Sequence, residues 1–225
     1  MRITRLVTFT VTAGLVGLTP IAIAAPSQAA DNWTTTTTAA PDKTRIVYGD
    51  AVNIVVDVDG SDGLGPSTGT STLYAMEAGS TEFVPVATGA YPGSDYYPVK
   101  PTKNTTYKVV FGGYTDPVQT QYSDNYAPSE SATFTVQVAR KITYPSSGFV
   151  LKGKVTPDYG KKKIVIKVSK KQNKGYKKFK TIKTDKRGKY KITLPRRGGT
   201  WYWSFVVKGD DKYLANGFVW KTFVG

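Results

Sequence analysis

From Lys163 to Ser169 the residues alternate in kind: Ile164, Ile166 and Val168 share one parity, Lys163 and Lys167 the other. A strand turns successive side chains to opposite faces, so this period of two describes a strip of sheet with one dry and one charged side. Similar short runs, rich in Val, Ile, Thr, Tyr and Phe, recur along the chain between punctuating Gly and Pro residues, 22 and 13 in number. After the first 30 residues, no window of useful length places apolar residues at helical spacing. Short strands bounded by turn residues at close intervals are the pattern of an all-β sandwich or barrel.

In the second half the alternation predicts a short edge strand near Ile142. Strands then follow over Phe149 to Val155, Lys163 to Ser169, Lys177 to Lys183, Lys189 to Leu194, Trp201 to Val207 and Gly217 to Val224. Phe179 and Ile182 differ in parity, which predicts a bulge in the Lys177 to Lys183 strand. The first half predicts strands over Arg45 to Tyr48, Ala51 to Val58, Ser71 to Ala75, Glu82 to Ala87, Tyr96 to Val99, Thr105 to Gly112 and Ala132 to Ala139. Seven strands per half is the number an immunoglobulin-type sandwich uses. The halves also align with each other: Tyr107, Val109, Phe111 and Gly113 match Trp203, Phe205, Val207 and Gly209 without a gap. A repeat of about 90 residues suits one sandwich per copy and is too long for a solenoid or propeller unit.

The charge changes sign between the halves. Residues 31–139 hold 5 basic and 12 acidic side chains, a net of −7, whereas residues 140–225 hold 24 basic and 4 acidic, a net of +20. A step of this size at one point in the chain places a domain boundary near Arg140. The expected units are therefore an acidic sandwich over 43–139 and a basic one over 140–225.

Residues 1–29 read as a secretory signal, with Arg2 and Arg5 ahead of an apolar stretch from Leu6 to about Ala25. Small residues at Ser27 and Ala29 suit cleavage before Ala30. No later stretch is long and apolar enough to span a bilayer. Residues 30–42 contain the unbroken run Thr34 to Thr38, with Trp33 as the one large apolar group, and read as a flexible, disordered leader. O-linked sugars on the Thr hydroxyls are the alternative.

Gly49-Asp50 ahead of Val52, Ile54 and Val56, and Thr105-Thr106-Tyr107 leading to Phe111-Gly112-Gly113, resemble the immunoglobulin-like repeats of secreted actinobacterial proteins. Val150 to Pro157, Gly188-Lys189-Tyr190 and Gly199-Thr200-Trp201 resemble the same group. The resemblance covers both halves and rests on strand and turn positions. It implies tandem sandwiches that act as spacers, adhesion modules or polymer binders, and no catalytic residue is implied by it.

Chemistry is constrained by absence. The chain has no Cys and no His, which removes disulfides, thiol nucleophiles, thiolate metal sites, the commonest general base and the commonest zinc ligand. No catalytic residue and no cofactor is expected. Asp57, Asp59 and Asp62 in a Gly-rich segment have the hardness calcium prefers, yet the spacing fails the EF-hand pattern, and turns use the same residues for backbone reasons.

The strongest candidate for function is the lysine cluster. Lys161, Lys162, Lys163, Lys167, Lys170, Lys171, Lys174, Lys177, Lys178, Lys180 and Lys183 fall on two neighbouring strands and their hairpin. If those strands pair, like charges stand side by side at a local cost, which an anionic polymer would offset. Teichoic acid, acidic polysaccharide or nucleic acid would serve, and an anionic lipid surface offers peripheral contact. Arg187, Arg196 and Arg197 would add charge, and Tyr202 is the outward aromatic best placed to stack. Trp201 and Trp203 align with inward positions and are expected in the core. The competing reading is a solvated lysine face that resists edge-to-edge aggregation. In that case the chain is a spacer or adhesion protein, self-associating through its oppositely charged domains.

Overall fold

The computed structural model describes residues 30–120 and 122–225. The expected secretory signal lies outside the described residues. Those that are described form 18 strands and no helix. In chain order the first eleven are β1 (Asp31–Trp33), β2 (Thr35–Pro41), β3 (Arg45–Val47), β4 (Val52–Gly60), β5 (Ser71–Glu77), β6 (Val84–Thr88), β7 (Tyr96–Val99), β8 (Thr105–Phe111), β9 (Asp124–Tyr126), β10 (Ser129–Glu130) and β11 (Phe134–Ala139). The remaining seven are β12 (Lys141–Ile142), β13 (Val150–Thr156), β14 (Lys163–Ser169), β15 (Lys177–Lys183), β16 (Lys189–Thr193), β17 (Gly199–Val207) and β18 (Asn216–Val224).

The strands build two tandem immunoglobulin-like sandwiches. In the first, the sheet β2-β4-β7 faces the sheet β3-β11-β8-β5-β6, with β10 added on β8. Val52, Ile54, Val56 and Val58 alternate inward along β4 and meet Leu73, Tyr107, Val109, Phe111, Val136 and Val138 from the facing sheet. In the second, β12-β13-β16 faces β15-β14-β17-β18. Its core sets Leu151, Val155, Tyr190 and Ile192 against Ile164, Ile166, Trp203, Phe205 and Val207. Burying each such side chain contributes about 1.5–3 kcal/mol. The internal alignment has a structural counterpart. Tyr107, Val109 and Phe111 point inward from β8, a strand between β11 and β5; Trp203, Phe205 and Val207 do so from β17, between β18 and β14.

The Thr run is not a flexible leader. Thr35–Pro41 is a strand, paired antiparallel with β4 from Thr35↔Gly60 to Pro41↔Ile54. Low apolar content suggests disorder, but Thr is a strong strand former, and the hydroxyls supply what apolar contacts do not. Thr35 Oγ1 donates to Ser129 Oγ at 2.7 Å, and Thr37, itself buried, shares a 2.7 Å hydrogen bond with the same hydroxyl. Alternate members of the run, Thr34, Thr36 and Thr38, stand exposed, while Thr35 and Thr37 are part-buried and buried.

One residue, Arg140, separates β11 from β12. The loop between β17 and β18 reaches back onto the first sandwich. Tyr213 is buried in that sandwich's core cluster, Leu214 N–H donates to Val138 O at 2.9 Å, Asn104 N–H donates to Lys212 O at 2.9 Å, and Arg45 Nη2 donates to Ala215 O at 3.0 Å. The two sandwiches therefore meet through backbone hydrogen bonds, the Arg45 guanidinium and one tyrosine, and no ion pair joins them among the described residues.

Candidate functional site

Antiparallel pairing of β14 with β15 decides where the lysines go. Lys163 stands opposite Lys183, and Lys167 opposite Lys178. These four are exposed on the outer face of the four-stranded sheet. The register shifts between Ile166 and Lys167, the position of the expected bulge. The extra residue lets Phe179 turn inward, where its ring packs edge-on against Trp203 at 5.0 Å. The same shift sets Lys180 and Lys177 opposite Ile166 and Val168, on the inner side of the edge strand and away from the other four. On the next strand Tyr202 pairs with Ser169 and Lys221, and so shares the outer face, half-buried. Burial, and then the neighbouring Tyr202 phenol, push the Tyr176 hydroxyl up.

At the end of this face remote from the first sandwich, the β14–β15 hairpin carries Lys170, Lys171 and Lys174. Ser169 Oγ accepts the Lys171 N–H at 2.9 Å and donates to Lys174 O at 2.6 Å, so the connection is tied down. Beside it Arg197 lies 4.8 Å from the Trp201 ring centroid, 5.4 Å from Trp203 and 5.7 Å from Phe179. Lys170 Nζ is 5.3 Å from Trp201, and Arg196 is 5.4 Å from Phe149. Cation–π contact holds these charges over rings while leaving N–H groups free to meet an anion. Trp203 is fully buried, as expected for core; Trp201 is half-buried and serves as a stacking surface for two cations.

The remaining predicted residues lie at the opposite end. Lys161 occupies a left-handed turn position, φ 57°, ahead of β14. Lys162 is not free: its Nζ is 3.0 Å from the Asp210 carboxylate at the junction between the sandwiches. Arg187 sits in the turn between β15 and β16, where backbone N–H groups of Lys189 and Arg187 hold the Asp185 carboxyl below the usual range. The lysine cluster is thus not one patch. It resolves into an outer-face strip of Lys163, Lys183, Lys167 and Lys178, a cationic tip of Lys170, Lys171, Lys174, Arg196 and Arg197, a junction group and two inner-side lysines. The strip runs along β14, about 23 Å for seven residues in a strand, and the hairpin lysines of the tip follow it in the chain. None of the four strip lysines lies within ion-pair distance of a carboxylate among the described residues.

Lys221 escapes a reading of the sequence because its strand neighbours, Val219 and Phe223, are apolar though exposed. Lys152, Lys154, Lys189 and Lys191 escape it too. Their alternation is visible in the sequence, but the pairing of β13 with β16 is not.

The carboxylates considered for calcium do not converge. Asp57 and Asp59 stand outward on β4 opposite Thr38 and Thr36, while Asp62 accepts hydrogen bonds from Tyr126 Oη and the Leu64 N–H, both at 3.0 Å. Among the described residues no group of three His, Cys, Asp or Glu could hold a metal ion.

No family model and no curated protein matches the chain. Among solved structures it is similar to the FN1–FN3 domains of chicken CNTN1, at 13% identity and TM-score 0.30, over 83% of this chain and 65% of that one. It is also similar to a tetra-tandem repeat from the extending region of a large adhesion protein, at 12% identity and TM-score 0.34, over 84% of this chain and 48% of the other. A third, the human OSCAR ligand-binding domain, is 11% identical over 83% of this chain and 97% of its own, with TM-score 0.26. The chain thus spans less than two thirds of the first two.

Proposed function

We propose that this chain is a secreted, non-catalytic binding module. Its basic second sandwich holds an anionic polymer of the cell envelope or its surroundings: teichoic acid, acidic polysaccharide or nucleic acid. The observation that carries this reading is the pair of direct lysine oppositions, Lys163↔Lys183 and Lys167↔Lys178, unrelieved by any acidic neighbour among the described residues. Like charges facing across a ladder are destabilising, and a sandwich does not need them in order to fold. A bound polyanion turns that repulsion into attraction and releases its own counterions. The stacked cations at the tip extend the strip, and Tyr202 offers a ring to a base or sugar.

Export is supported by the reading of residues 1–29, and no helix of the described residues is long and apolar enough to cross a membrane. The acidic first sandwich is repelled by the same polymer. Because Tyr213 and the loop around it fix it to the second, it is held outward as a spacer or presenter.

The test is retention of the full chain, from Ala30 onward, on purified cell walls and on matrix-bound polyanion across a salt series. Retention should fall steeply with salt. Replacing Lys163, Lys167 and Lys178 with Gln should flatten the slope of log affinity against log salt by about 0.9 for each phosphate that is no longer neutralised, the figure for duplex DNA. Salt-insensitive retention, or none at low salt, overturns the reading. Salt-dependent self-association with no polymer added would favour assembly through the opposed charges of the two sandwiches instead.

A further inference from the structure

The second sandwich carries another lysine row on its other sheet. β13 and β16 pair so that Lys152 faces Lys191 and Lys154 faces Lys189, and all four are exposed. Between them the intervening residues turn inward. Tyr190 is buried and its hydroxyl donates to Thr143 O at 2.9 Å, and a Cβ at Gly153 would collide with that same carbonyl oxygen. The inner side of this ladder is closed against β12 and the core, which leaves the lysines nowhere to point but outward.

These four side chains line an open cleft of about 690 Å³ that ends at Lys183 and Asp185, where the chain crosses from β15 to β16. The one carboxylate there is already engaged, since Asp185 Oδ1 accepts the backbone N–H groups of Arg187 and Lys189 at 2.7 and 2.9 Å. None of the four lysines meets a carboxylate within ion-pair distance among the described residues. Two like-charged oppositions in succession repeat the arrangement of the first face on a different sheet.

Apart from Lys183, which belongs to the first strip and lies at the end of the cleft, the two rows stand on opposite outer faces. Packed sheets lie about 10 Å apart, and side chains on the two outer faces extend in opposite directions. Away from Lys183, the charged layers are therefore separated by more than the roughly 10 Å screening length of 0.1 M salt. An ammonium group meets phosphate as a compact point charge, so both rows suit the same phosphate-bearing linear polymer.

We propose that the second sandwich is bivalent: each sheet face takes a separate strand of a phosphate-bearing polyanion, and the domain cross-bridges the two. The proposal rests on the polymer-binding reading above. It adds a site made of Lys152, Lys154, Lys189 and Lys191, and it adds a consequence, namely that one copy can tie two chains together.

Calorimetric titration of the full chain with short linear polyphosphate at low salt tests it. Lys183 borders both faces and is left intact. Wild type should bind twice as many polyphosphate chains as K152Q/K154Q/K189Q/K191Q, and twice as many as K163Q/K167Q/K178Q. The four-fold Arg variant K152R/K154R/K189R/K191R should restore the full count, which separates lost charge from altered folding. Long polyphosphate should raise light scattering with wild type and with the Arg variant, and with neither Gln variant. If wild type and the K152Q/K154Q/K189Q/K191Q variant bind equal numbers of chains, bivalency is overturned while single-face binding stands. If no variant binds, and wild type does not, the polymer reading itself falls.

Discussion

Arg140 Nη2 donates to Asp210 Oδ2 across 2.6 Å, joining the one residue between the two sandwiches to the loop that docks them. The guanidinium side chain is only 1% exposed, while the carboxylate remains 37% exposed. Arg140 Nε also donates to Pro157 O at 3.0 Å, and the guanidinium lies 4.2 Å from the Tyr213 ring centroid and 5.1 Å from that of Tyr159. Its own carbonyl accepts from Asn216 Nδ2 at 2.6 Å. The hinge between the domains is thus filled by a side chain whose charge has one anionic partner.

The asymmetry in exposure sets the first prediction. Asp210→Asn keeps the oxygen that accepts the Lys212 and Tyr213 N–H groups, but leaves a buried guanidinium without its counter-charge. Removing one partner of a buried pair costs about 3–5 kcal/mol, and the partial exposure here points to the lower end. Arg140→Met leaves the carboxylate to Lys162 and solvent, so its cost should be well below that of Asp210→Asn. Urea unfolding followed by tryptophan fluorescence checks the order, since Trp201, Trp203 and Trp220 all report on the second sandwich.

Acid should act through the same carboxyl. Partial burial works to raise its pKa, but hydrogen bonds from Arg140 and Lys162, and their charges, outweigh burial and hold it at about 2, against an ordinary 3.8. A folded pKa below the unfolded one contributes stability that is present above about pH 4 and is lost as the pH falls through about 2. The difference in urea midpoint between wild type and Asp210→Asn should therefore be full at pH 7 and close towards zero near pH 2. Glu77 and Asp185, also held low, affect both proteins alike and cancel. A gap that persists at pH 2 would show that the carboxylate charge is not what holds the junction.

Period-two alternation makes the strands legible because each run of β14, β16 or β17 contains its own inner and outer faces. Even the irregularity of β15 is visible, since Phe179 and Ile182 cannot share a face without an extra residue. What alternation does not contain is the partner. Lys152 and Lys191 lie 39 positions apart in sequence, and their opposition follows from which strands are neighbours in the sheet. Tyr213 sits in a polar loop whose sequence does not show what buries it, and it is buried in the core cluster of the other sandwich, beside Val138. The Thr run fails as a leader for a related reason: the hydroxyl of Ser129 that bonds both Thr35 and Thr37 is more than ninety residues away.

The strand assignment of that run is open to truncation. A flexible leader can be removed without loss, whereas β2 gives β4 its second neighbour in the sheet β2-β4-β7. A chain beginning at Asp42 exposes that edge of β4 and leaves Ser129 without its Thr partners. The first sandwich should lose at least about 1 kcal/mol, which lowers Tm by about 4–8 °C for a domain of this size. Circular dichroism melting of the truncated and untruncated chains measures it, and equal melting temperatures would return the segment to a leader.

Arg197 provides the sharpest test of how the tip is organised. With Trp201, Trp203 and Phe179 all within 6 Å of its guanidinium, it makes cation–π contact with three rings at once, a broader contact than a lysine's compact ammonium makes. Arg197→Lys retains the charge and loses the planar fit; Arg197→Ala loses both. If the stack orders the cation for phosphate, the Ala variant should bind polyphosphate about tenfold more weakly, equivalent to about 1.4 kcal/mol. Its salt slope should also be flatter, by about 0.9 on the duplex scale. The Lys variant should keep the wild-type slope yet bind several-fold more weakly, a loss in the range of about 0.5–1 kcal/mol expected for an exposed cation–π contact. Wild-type tryptophan fluorescence should respond to polyphosphate, and the response should shrink in both variants. A Lys variant equal to wild type in affinity and fluorescence would show that the tip works by charge alone.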